Sequence, residues 1–189
     1  MPAANEVLEH GMPRRVCLYG PAKSRKTTWT LMAAEAGYRV LLMDSDRGSD
    51  VLVQLSPAAR ARVYIFECHD TPDDAFCAAF TTHAFKHFEF WIDEATRRMS
   101  FRKLPGLAHV DFRGWGNETV IVFDSYTALV HSVVKAYCRE NNIDLSDAKK
   151  TEWPGYGYAA LYLNWFLGQT KLLPCHFIMI GHSTQYEKY

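Results

Sequence analysis

Five short runs along the chain are apolar over their length rather than alternating: VCLYG (16–20), YRVLLMD (38–44), VYIFEC (63–68), TVIVFDS (119–125) and CHFIMIGH (175–182). Strands covered on both faces carry this pattern, because every side chain enters one hydrophobic layer or the other. Helical stretches separate them. Residues 26–36 (KTTWTLMAAEA) predict a helix that stops at Gly37, a residue suited to the turn that ends helices. Residues 72–98 are long and aromatic and predict helix, in one piece or two. Residues 126–141 and 157–173 predict two more helices, the second ending before Pro174. The order βα-β-β-α-β-α-α-β predicts an α/β fold around a mostly parallel sheet with helices on both faces. Residues 99–117 read as a loop-rich insertion within a single domain spanning 1–189.

Composition narrows the classes. Of 189 residues, 48% are hydrophobic and 22% charged, which excludes disordered and collagen-like chains. Lys plus Arg and Asp plus Glu are each 21, so the net charge is zero and nucleic-acid binding requires a local patch. The five cysteines are scattered with no C-x-x-C, the usage of reduced thiols rather than a disulfide framework. MPAANEVLEHG at the start has no apolar signal core, and no run approaches the roughly 20 apolar residues of a membrane span. The expectation is a soluble, cytoplasmic protein with no membrane partner.

The chemistry concentrates at strand ends. Gly20-Pro21-Ala22-Lys23-Ser24-Arg25-Lys26-Thr27-Thr28 follows one apolar run and opens a helix, the setting of a phosphate-binding loop. Backbone N–H groups of such a loop cradle phosphates at the positive end of a helix. Lys26 would reach the β- and γ-phosphates and the Thr27 hydroxyl would ligate Mg²⁺. Arg25 stands where the G-x-x-x-x-G-K-[ST] pattern has its second glycine, so its side chain must point away or donate to a phosphate itself. The alternative is a basic strand-to-helix turn that binds no nucleotide.

Val120 to Phe123 lead into Asp124 at a strand end, a carboxylate placed to hold Mg²⁺, or merely to cap the next helix. Asp44-Ser45-Asp46-Arg47-Gly48-Ser49-Asp50 follows the second run. Its carboxylates face the crevice where such sheets bind ligands, and one would polarise an attacking water; otherwise the segment is an Asx-rich turn. Gly181-His182-Ser183-Thr184-Gln185 follows the fifth run. His182 or Gln185 would touch a γ-phosphate, unless this is a polar surface loop.

Together these motifs resemble the RecA-like branch of P-loop ATPases, over about residues 14–185. They look closest to small phage-encoded members associated with single-strand annealing and recombination. LYGPAKSRKTT matches the loop. VLLMDSDRGSD resembles the second-strand segment, with Asp46 where the family usually has a catalytic Glu and Asp44 beside it. VIVFDSYTAL is similar to the Walker B strand, and IMIGHSTQ to the sensor strand. The resemblance implies ATP and Mg²⁺ as cofactors, and a strand order of 3-2-4-5-1. It also implies assembly of copies into a ring or filament, and host cytoplasm if the protein is phage-encoded. It implies further sheet after the fifth strand, so a chain stopping at Tyr189 reads either as a fragment or as one whose remainder is disordered.

Single-stranded DNA is the implied partner. Lys149 and Lys150 beside Trp153 and Tyr156 would supply phosphate contacts and a stacking platform. A second basic patch is Arg97, Arg98, Arg102, Lys103 and Arg113, among Phe101, Phe112 and Trp115. Either patch is otherwise a solvated surface. Two other functions fit the same loop. One is a nucleotide-dependent assembly module with little turnover, motivated by Arg25. The other is a small-molecule or nucleotide kinase, for which Arg97, Arg98, Arg102 and Arg113 would form a lid.

Overall fold

The computed structural model describes residues 12–72, 74–100, 102–144 and 148–183, with side chains left undescribed at 148–153. The five apolar runs become β1 (Arg15–Gly20), β2 (Arg39–Asp44), β3 (Val63–Glu67), β7 (Thr119–Asp124) and β8 (His176–His182). They pair in parallel in the order β3-β2-β7-β8-β1, which is the expected 3-2-4-5-1. Beyond β3 the sheet continues through β5 (Arg98–Ser100), β4 (Glu89–Asp93) and β6 (Ala108–Asp111) to eight strands.

The unbroken apolarity of the central runs has a simple cause. Val40 and Leu42 of β2, Val120 and Val122 of β7, and Ile178 and Ile180 of β8 enter one core, beneath α1 (Lys26–Glu35). Leu41, Met43, Ile121, Phe123, Phe177 and Met179 enter the opposite one. That second core is roofed by α3 (Phe76–His87), α4 (Tyr126–Glu140) and α5 (Ala148–Thr170). A short α2 (Pro57–Arg60) precedes β3. Helix α1 ends as expected: Gly37 has φ 98° and its N–H donates to the Ala34 carbonyl.

One expectation changes. The helix over 72–98 is only α3; Phe88, left-handed at φ 57°, ends it and starts β4. Phe90 and Ile92 then point into the core while Glu89, Trp91 and Asp93 are half-buried, a period of two inside the aromatic run. Within the loop-rich stretch 99–117, β6 and a 3₁₀ turn (Phe112–Gly114) bury Phe112 against Phe85 and Phe90. No helix of the described residues is long and apolar enough to cross a membrane.

At the other end of β1 from the phosphate loop, Arg15 ties α5 to β8. Its guanidinium donates to the carbonyls of Thr170 (2.7 Å), Leu173 (2.5 Å) and Cys175 (2.8 Å). His176 is buried beside it. Its Nδ1 accepts the Arg14 N–H at 3.1 Å, and burial holds its pKa below the ordinary imidazole value. The neutral ring is therefore the folded form. Below about pH 6.5 the unfolded chain takes up a proton that the fold refuses, so stability falls as the pH drops. Thermal melts from pH 8 to 5 are expected to slope downward below that value. His176→Phe is expected to flatten the slope; an unchanged slope would assign it to other groups.

Candidate functional site

The C-terminal ends of β1, β8, β7 and β2 meet at one end of the sheet, where Asp44 pairs in register with Asp124, and Gly20 with His182 two residues further on. The loop leaving β1 turns into α1 at Arg25, which is left-handed at φ 62° with its side chain exposed. A non-glycine residue held there costs about 1–2 kcal/mol, which explains why the pattern favours glycine at this position. The loop, residues 23–28, lines a cavity of about 470 Å³ with Val51, Gln54 and His182. Among the described residues Arg25 pairs with no acidic side chain, and it lines that cavity, so its charge is available there.

Lys26 is 9% exposed and folds back over the loop. Its Nζ donates to the carbonyls of Pro21 (2.7 Å) and Gly20 (3.0 Å) and to Ser24 Oγ (3.2 Å). Those acceptors are weak counterparts for an ammonium, and a phosphate would compete well for it. One turn on, Thr27 Oγ1 donates to Asp124 Oδ2.

Asp124 is 1% exposed, and its Oδ1 has no hydrogen-bond partner. Burial pushes its carboxyl above the ordinary range; the Thr27 hydroxyl pulls it down, and Asp46 and Asp44 push it up again. A buried carboxylate with an idle oxygen beside a threonine hydroxyl fits a divalent cation. Gly48 keeps that place open. A Cβ on it would stand 2.9 Å from Asp124 Oδ2 and 3.3 Å from Thr27 Oγ1. Residue 48 carries no signal in the sequence beyond its place in the Asp-rich turn; only the approach of another strand's carboxylate gives it a role.

The carboxylates after β2 separate into two kinds. Asp44 is fully buried, and its oxygens accept the N–H groups of Asp46 (3.2 Å), Gly48 (2.8 Å) and Ser49 (3.0 Å). It shapes the turn, with three of its acceptor directions taken by backbone and its side chain shut off from solvent, which makes Asp46 the better-placed base of the two. Asp46 faces outward. Its Oδ2 meets His182 Nε2 at 2.6 Å and accepts from Ser125 Oγ at 2.8 Å. Ser125 also caps α4, accepting the Ala128 N–H. Ser45 joins the same junction, donating through Oγ to the Asp124 carbonyl and accepting the Ser125 N–H. The Asp124–Ser125 peptide is cis.

His182 is thus held from two sides, by Asp46 and by a 3.0 Å bond from its N–H to Thr127 Oγ1. Gln185, Lys149, Lys150 and Trp153 lie outside the described residues or side chains. Tyr156 is exposed on α5.

The second basic patch is largely spent on the fold. Arg97 pairs with Glu94 at 2.6 Å and lies over the Tyr64 ring, Arg98 pairs with Glu67 at 3.1 Å, and Arg113 pairs with Asp111. Arg102 and Lys103 are exposed. These residues belong to β5, β6 and their connections, beyond β3, whereas the phosphate loop follows β1 at the other end of the strand order. They do not form the lid that a kinase reading requires.

No curated protein matches the sequence. Among solved structures the chain is similar to the RadB recombinase, with 17% identity and a TM-score of 0.42 over 98% of this chain and 71% of that one. At that level the likeness carries no argument about activity. The AAA domain family matches residues 12–188. That span contains the phosphate loop, the extra strand between β1 and β7, and the Asp124 strand; the chain belongs to the AAA domain family, with the RecA-like P-loop fold.

Proposed function

We propose that the protein binds ATP·Mg²⁺ in the loop cavity, hydrolyses it, and couples that cycle to single-stranded DNA in recombination or replication. One observation carries the nucleotide part: Lys26, Thr27 and His182 line one cavity, and behind them Thr27 bonds Asp124 and His182 bonds Asp46, so groups from four strand ends meet there. When bound, the magnesium nucleotide supplies the anhydride to be cleaved and a dication on its phosphate oxygens. Lys26 leaves the Gly20 and Pro21 carbonyls for phosphate. Thr27 and Asp124 hold the cation. Asp46 takes the proton of the attacking water, and His182 fixes the Asp46 carboxylate and contacts the γ-phosphate end. The chemistry is positioning and charge stabilisation, without a covalent enzyme intermediate.

The DNA part rests on the sequence of the α5 segment, where Lys149 and Lys150 precede Trp153 and the exposed Tyr156. Assembly of copies into a ring or filament belongs to the same reading. Steady-state ATP turnover with and without single-stranded DNA is the test. Stimulation by DNA supports the reading; unstimulated turnover together with no DNA retention at low salt rejects the coupling.

Arg25 favours a second reading, a nucleotide-dependent assembly module with little turnover. Replacing it separates the two. Arg25→Gly removes the left-handed penalty of about 1–2 kcal/mol and also a cavity cation. A tenfold or larger rise in turnover would favour the impaired site. Unchanged turnover would remove the reason for that reading, and lower turnover would mark Arg25 as a residue the phosphates use.

A further inference from the structure

We propose that Arg39, Arg62 and Arg97 form an oxoanion site for a phosphate group, at the end of the sheet opposite the phosphate loop. The three arginines line a cavity of about 270 Å³ together with Gly37, Tyr64 and Glu118. They stand at or just before the starts of β2, β3 and β5, which are neighbours in the sheet. Asp44 marks the loop side at the other end of β2, roughly 17 Å away by the rise of a parallel strand. No residue is shared between this cavity and the one at the loop.

Arg39 and Arg62 stand side by side, because the residues after them, Val40 and Val63, pair in register. Like charges facing each other across strands repel, and an anion between them removes that cost. Two of the guanidinia are also held flat on aromatic rings. Arg39 lies over Trp115, 5.4 Å from the ring centroid, and Arg97 over Tyr64 at 4.9 Å. A stacked guanidinium is fixed in place and keeps its N–H donors at its edge. Arg97 spends only Nη1, on the Tyr64 hydroxyl and on Glu94. Arg62 gives one N–H to the Ala58 carbonyl at 3.2 Å. Tyr64 is buried at 8% exposure and forms the inner wall. Burial and Glu94 push its phenol above the ordinary value while Arg97 and Arg39 pull against them, so both cations reach the same hydroxyl.

Charge and donor count select the ligand. Glu118 is the acid that lines the cavity among the described residues. Glu94 is taken by Arg97, and Glu35, whose charge Arg62 also feels, has both oxygens on Ser56. Positive charge is therefore in excess. One guanidinium fork occupies both oxygens of a carboxylate, whereas the oxygens of a phosphate serve several forks at once. That phosphate is either free or part of a nucleic-acid backbone.

Pyrophosphate in metal-free buffer is the probe. It is titrated calorimetrically into the full chain carrying Lys26→Ala, which removes the ammonium offered to phosphate at the loop. One saturable pyrophosphate per chain is expected, and adding Arg39→Gln with Arg62→Gln is expected to weaken it at least tenfold. The saturation is read with both arginines in place, so it stands even if the arginine variant folds poorly. Oligodeoxythymidine then competes: displaced pyrophosphate assigns the site to a nucleic-acid backbone, and undisturbed pyrophosphate assigns it to free phosphate, each in support of an oxoanion site. In the chain with Lys26 intact, the two arginine substitutions should leave Mg·ATP binding within twofold. A parallel loss there would mean that the arginines act on the fold rather than on the anion. That result, no saturable pyrophosphate, or a pyrophosphate indifferent to Arg39 and Arg62 overturns the proposal.

Discussion

Lys26→Ala is expected to lower ATP affinity by about a hundredfold and to bring hydrolysis to background. The loss is large because the ammonium makes strong, charge-assisted contacts with phosphate that alanine cannot replace. Without nucleotide the same group spans the Gly20 and Pro21 carbonyls and Ser24, so the folded chain also loses some stability. The melting temperature should fall by the equivalent of about 1.5–3 kcal/mol, the range for hydrogen bonds made by a charged group. Isothermal titration and a phosphate-release assay measure both halves. Retained affinity would mean that the loop does not hold phosphate.

Gly48→Val is expected to cost nearly as much activity, through geometry alone. A Cβ at 48 already stands 2.9 Å from Asp124 Oδ2, and valine adds two methyl groups in the direction of Thr27. The Thr27–Asp124 contact must open, and the place for a dication between them closes. Turnover should fall about a hundredfold, the magnitude seen when one positioned charge-stabilising group is lost. Overpacking typically costs about 1–3 kcal/mol, so a soluble but destabilised protein is anticipated. Raising Mg²⁺ should restore part of the activity of a merely weakened cation site. Wild-type turnover in Gly48→Val would show that this corner is not used.

Much of this was legible from residue order. The apolar runs 38–44, 119–125 and 175–182 announced strands covered on both faces, and the two cores show why neither face could be polar. Lys26, Thr27 and Asp124 stood in a recognisable spacing, and the structure brings them together. The run from Phe76 to Trp91 misled, because aromatic residues fill a helix face and a strand face equally well. Only the left-handed turn at Phe88 shifts the period from helix to strand. Asp44 and Asp46 looked interchangeable in sequence. Their division appears only when backbone N–H groups of the following turn close on Asp44 and leave Asp46 for His182. Gly48 needed a contact between residues far apart in the chain to be noticed at all.

The most direct test of the account is a calorimetric titration of the full chain with Mg·ATP, paired with Lys26→Ala. Saturable heat at one nucleotide per chain, abolished in the variant, is the predicted result. Flat heats up to about 1 mM nucleotide, corresponding to binding weaker than roughly −4 kcal/mol, would contradict it.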